Sequence, residues 1–175
     1  MKTFIKNTLY FIIVLAIFSC SKNKIIDIID DEIPEVTNFY FKATINGVDY
    51  IADEDTLSAF AVVTDNDGVL TAAFGEEFNG AQFSGIVGGI KGFNGAGTYN
   101  MADYEGSNIT YLEEDISTGL IDIWLANSFT GSGVITVSQY GNGTATGTFS
   151  FTGINPTYQT EAIITNGEFH LVLVE

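Results

Sequence analysis

The side chains able to do chemistry in this chain are few and scattered. His170 is the only histidine and arginine is absent. A histidine-rich metal site is therefore excluded, and any Ser-His-Asp triad would have to use His170. That residue stands in the middle of EFHLVLVE with no nucleophile motif near it, and reads as a packed or hydrogen-bonded strand histidine. Without arginine the usual bidentate clamp for phosphate or carboxylate is missing. Glycines are plentiful, but no glycine-rich loop leads into a helix, so a phosphate has no cradle. Cys20 is the sole cysteine and has no intrachain disulfide partner.

Carboxylates offer more. Asp49, Asp53, Glu54 and Asp55 fall close together, and Glu113, Glu114 and Asp115 form a second run. Calcium takes several oxygen ligands at ~2.4 Å, which acidic loops can supply. Asp65-Asn66-Asp67-Gly68 resembles part of a calcium loop, but Val63 and Phe74 stand where the first ligand and the closing glutamate belong. It reads as a hairpin turn, and the acidic runs read as solvated surface; no metal or cofactor is assigned. Nothing singles out two carboxylates for glycoside hydrolysis. Aromatic residues are the remaining resource. Trp124, Tyr99, Tyr104 and Tyr111 could line a concave face and stack on a sugar ring or hold a small apolar ligand. By alternation Trp124 shares a face with Asp122 and Ala126, opposite Ile121, Ile123 and Leu125; it is either cavity-facing or packed in the core.

Strands must position these residues. In Gly131–Gly153 two strands fold on Gly141-Asn142-Gly143. Phe149 and Phe151 point to one side with Ile135 and Val137, while Thr148, Ser150 and Thr152 point to the other. Asn-Gly recurs at residues 46, 79, 94, 142 and 166, with Asp67-Gly68 beside them, and these dipeptides suit tight turns. The segments between them predict twelve strands: Phe39–Asn46, Val48–Ala52, Ser58–Thr64, Val69–Phe74, Gln82–Ile90, Gly97–Met101, Ile109–Leu112, Ile121–Asn127, Gly133–Gln139, Thr144–Thr152, Ala162–Ile164 and Glu168–Val174. Tyr111–Gly119 reads as one helical turn or a charged loop. Gly85, Gly88 and Gly89 predict a bulge or bend. Both sides of Phe169–Val174 are apolar, which places that strand inside the sheet. With many strands and no covering helix, the fold is all-β, an antiparallel β-sandwich with a closed β-barrel as the alternative.

Ahead of this domain stands a leader. In MKTFIKNTLYFIIVLAIFSC, Lys2 and Lys6 precede an apolar run from Leu9 to Phe18, shorter than the ~20 residues that cross hydrocarbon as a helix. Residues 1–19 read as a lipoprotein signal peptide, with acylation on Cys20 and cleavage just before it; ordinary secretion with a leftover thiol is the alternative. Residues 20–38 hold Asp27, Asp30, Asp31, Glu32 and Glu35 and read as an acidic tether, with a short helix through Ile25, Ile26, Ile28 and Ile29 as the other reading. Residues 39–175 form one domain. Beyond the leader four lysines face 22 acids, a net charge of −18. That charge repels nucleic acid and gives no adhesion to an anionic membrane. The implied partner is a membrane, reached through acyl chains.

The order of F-K-A-T-I-N-G from Phe41, G-A-G-T-Y from Gly95, G-V-I-T-V from Gly133, G-T-F-S-F from Gly147 and I-T-N-G-E-F from Ile164 resembles a family of small Bacteroidota-type lipoproteins carrying a β-rich domain of unknown function. The resemblance implies an outer-membrane lipoprotein and brings no catalytic residues. In that group surface export goes with acids right after the cysteine; here Ser21-Lys22-Asn23-Lys24 follows Cys20, so periplasmic and surface orientations both stay open. Asp55-Thr56-Leu57 is similar to the tripeptide O-glycosylated in such bacteria. The expected function is that of a monomeric, non-catalytic binding or structural module at the cell envelope, its ligand a glycan, a small molecule or another envelope protein. The alternatives are glycan or small-ligand capture through the aromatics and an acid-dependent hydrolase.

Overall fold

A computed structural model describes residues 39–52, 59–64, 69–103 and 105–174. Eleven strands account for most of them: β1 Tyr40–Ile45, β2 Val48–Ile51, β3 Ala59–Thr64, β4 Val69–Asn79, β5 Gln82–Lys91, β6 Gly97–Asn100, β7 Asn108–Asp115, β8 Leu120–Asn127, β9 Ser132–Gly141, β10 Thr144–Ile154 and β11 Glu161–Val174. Among the described residues there is no helix. The turns follow from backbone chemistry. Asn46-Gly47 and Asn142-Gly143 hold φ values of 50°, 84°, 53° and 75°, positive at both central residues, as the two-residue hairpin turn requires.

The strands form one curled sheet in the order β2-β1-β11-β3-β4-β5-β7-β8-β10-β9-β6, and β10 also bonds β11. β11 holds β10 along one edge; along the other it holds β1 and then, at Val172–Val174, β3. β10 in turn meets β8 at Ile154↔Leu125. The curl thus brings a run of six strands, β2-β1-β11-β10-β9-β6, over a run of five, β3-β4-β5-β7-β8. The result is a sandwich joined at its corners, all antiparallel but for β11 with β3.

One expected turn is a bulge instead. Asn166-Gly167 does not reverse the chain, because β1 and β10 both continue past it. Register with β10 jumps from Phe149↔Gly167 to Phe151↔Ile164, leaving Thr165 and Asn166 opposite Ser150 alone. Asn166 takes φ 52°, the left-handed conformation that served for a turn elsewhere. The two expected strands are therefore one strand of 14 residues. Likewise Tyr111–Asp115 is strand, not a helical turn or loop, and only the four residues after it reverse the chain.

The core lies between the two runs. Phe149, Phe151, Ile135 and Val137 are buried in it. Phe149 stacks on Phe41 at 4.7 Å and on Phe169 at 6.5 Å. Two glycines make this possible: Gly147 lies opposite Phe169 and Gly167 opposite Phe149, and each ring covers the glycine across from it. From the five-strand side, Gly88 gives room to Ile135. Between the runs lies an apolar void of about 20 Å³ bordered by Gly88, Ile135 and Phe149.

Candidate functional site

Trp124 and Tyr111, in the five-strand run, are the expected site residues that the fold brings together. They are cross-strand neighbours on β8 and β7, with rings stacked at 5.5 Å and 27°. Both point inward. Tyr111 is buried and donates its hydroxyl to Glu113. Trp124 is half-buried beside the fully buried Ala126, and its Nε1–H donates to Thr160 Oγ1 at 3.2 Å. The neighbouring loop turns on Asn155, which is buried; its Oδ1 accepts from the amides of Thr157 and Tyr158. Its Nδ2 reaches Asp122 Oδ1 at 3.4 Å.

Tyr99 sits elsewhere, on β6, and is buried. Its hydroxyl lies 2.7 Å from the Gly95 carbonyl and 2.8 Å from Asn94 Oδ1, and accepts the Asn94 amide at 3.2 Å. It therefore ties down the loop before β6. Tyr104 and Cys20 lie outside the described residues, as do Asp53, Glu54, Asp55, Thr56, Leu57 and the turn from Asp65 to Gly68.

The second acidic run does not converge on a point. Glu113 shares the face of Tyr111 but is exposed, Glu114 lies on the other face opposite Ile121, and Asp115 caps the turn after β7. Asp115 Oδ1 accepts from the Ser117 hydroxyl at 2.6 Å and the Ser117 amide at 2.9 Å. The hydroxyl, chiefly, holds its pKa below the usual 3.8. Among the described residues no three metal-ligating side chains gather.

A different surface has the geometry of a site. On the outer face of β9, β10 and β11 lies a shallow groove of about 300 Å³, lined by Val134, Thr136, Thr148, Ser150, Asn166 and Glu168. Its position follows from the alternation that sends Phe149 and Phe151 inward, and the bulge at Asn166 opens one side. Glu168 is held by Lys42 on β1 at 2.9 Å, and that hydrogen bond, then the charge itself, raises the lysine pKa. Lys42 Nζ also stands 5.4 Å from the centre of the Tyr40 ring. Beside it His170 meets Phe39 and Tyr40 edge to face, at 5.5 and 6.1 Å. His170 is thus a strand histidine among aromatic rings.

The hydroxyl series Thr148, Ser150 and Thr152 was the sequence signal for this face. The bulge and the Lys42–Glu168 pair had no local signature, since both depend on how β1 and β10 flank β11. No family model matches the chain, and neither a curated protein nor a solved structure matches it.

Proposed function

We propose that this chain is a cell-envelope lipoprotein of the outer membrane, acylated on Cys20, whose β-domain is a monomeric binding module without turnover. It would stand with the small Bacteroidota-type lipoproteins that its motif order resembles, facing either the periplasm or the exterior. The anchoring part rests on the leader: two lysines, an apolar run ending at Phe18, and a lone cysteine directly after Ser19.

The observation that carries the binding reading is the contrast between an apolar void of about 20 Å³ inside and an open groove of about 300 Å³ outside. The groove would hold a ligand on a face of the sheet. Glu113 and Asp122, cross-strand neighbours, already engage Tyr111 and Asn155, which favours a structural role for them over acid catalysis.

The test is fractionation of full-length protein with and without Cys20→Ala, alongside labelling with an alkyne fatty acid. Label and membrane retention in the parent, both lost in the variant, are expected. Retention without the thiol, or no label in the parent, would end the anchoring proposal.

A further inference from the structure

We propose that the outer groove of β9–β11 binds a neutral, polyhydroxylated ligand, a stretch of uncharged glycan, and that Trp124 takes no part; this rests on the reading of the domain as a binding module. Register aligns one row of side chains across five strands: Thr98, Thr136, Thr148, Glu168 and Lys42 are successive partners on β6, β9, β10, β11 and β1. At a strand spacing of ~4.8 Å the row is roughly 19 Å long, enough for more than one sugar ring.

The row offers hydroxyls already set in place. Thr98 Oγ1 and Thr136 Oγ1 are 3.1 Å apart, and Asn166 Nδ2 reaches Thr44 Oγ1 at 3.4 Å. The hydroxyls of Thr148 and Ser150 make no hydrogen bond among the described residues and remain for a ligand. Glu168, fixed by Lys42, is a carboxylate acceptor of set orientation, the kind that takes paired sugar hydroxyls. Val134 supplies an apolar floor.

Charge selects the class of glycan. Residues 39–175 hold 17 acids and two lysines, Lys42 and Lys91. The field of such a domain repels uronic or sulfated polymers. Within the groove the single carboxylate, Glu168, is neutralised by Lys42, so an uncharged polyol meets neither repulsion nor a free ion to desolvate. A cation would find that one carboxylate occupied.

Affinity electrophoresis of the full-length protein in detergent tests this, with galactomannan, xyloglucan, dextran and soluble starch as neutral probes and polygalacturonate as the anionic one. At least one neutral polymer should retard the protein while polygalacturonate does not. Thr148→Arg, which fills the groove from an exposed position, should weaken that retardation at least tenfold, and Trp124→Phe should leave it unchanged. Should Thr148→Arg shift the melting temperature, Ser150→Gln and Glu168→Gln carry the same expectation.

Absence of retardation by all four neutral polymers, its survival in the groove variants, its loss in Trp124→Phe, or binding of polygalacturonate or a protein in its place would each overturn the groove proposal. None of these touches the anchored, non-catalytic reading. Release of reducing ends from a retarding polymer would sink that reading and leave the groove standing.

Discussion

Across β6, β9, β10, β11 and β1, the residues turned away from the core include Thr98, Thr136, Thr148, Glu168 and Lys42. Across β5, β7 and β8 they include Val87, Leu112, Ile123 and Leu125, all half-buried, with Thr110 among them. The first set obeys the ordinary alternation of a sheet with one dry face and one wet face. The second does not, since both sides of those strands are apolar and hydrophobicity alone cannot say which faces inward. Size decides instead. Ile86, Gly88 and Ile90 turn toward the core because Gly88 admits Ile135 from the opposite run. The hydroxyl-rich face is open, whereas the apolar face carries the cost of Thr110, whose Oγ1 is buried without a hydrogen bond among the described residues.

Substitutions can break or sharpen this contrast. The largest effect belongs to Gly147→Ala in the six-strand run. A Cβ there would collide with the Thr136 carbonyl oxygen and the Phe169 ring. Backbone cannot yield as a side chain can, so about 3 kcal/mol or more should be lost in chemical denaturation. Next comes Thr110→Val on the apolar face, where removing an unpaired hydroxyl at constant shape should add about 1 kcal/mol by the same assay. A loss of stability there would mean that the hydroxyl has a partner after all.

Gly88→Ala should change stability by no more than about 0.5 kcal/mol, because its one tight contact would be the movable Ile135 Cδ1 at 3.2 Å, beside the 20 Å³ void, with Ile109 Cγ1 and the Asn108 carbonyl oxygen at ordinary contact distance. A cost like that of Gly147→Ala would show the two runs to be equally tight. The smallest effect is one of pH. Asp115 has a depressed pKa in the folded state, so its contribution is present above its ordinary value of 3.8 and is lost as pH falls through the folded value. The Ser117 amide resonance should therefore hold steady at neutral pH and move only below 3.8. Movement at neutral pH would assign the cap to another group.

Most of the fold was legible because strand chemistry is local. Alternation gave the burial of Phe149, Phe151, Ile135 and Val137, and paired positive φ values gave the turns at Asn46 and Asn142. Asn166-Gly167 failed as a turn for the same reason that the others succeeded: a dipeptide records which φ it tolerates, not whether neighbouring strands continue past it. The site was less legible. Tyr99 and Tyr111 were chosen for chemistry that their rings and hydroxyls spend on packing and on tying loops. The groove arises from five strands brought into register, and no single segment reports that. In Trp124 the ambiguity was real, since an alternation with isoleucine and leucine opposite it fits either face.

The position of β11 has a temporal consequence. It bonds β1, β10 and β3, so the first hairpin, the central hairpin and the five-strand run all wait on Glu161–Val174. Made from its amino end, the polypeptide cannot complete its hydrogen-bond ladder while a ribosome still grips those residues. The sheet would thus be joined through these three partners only once Glu161–Val174 is free.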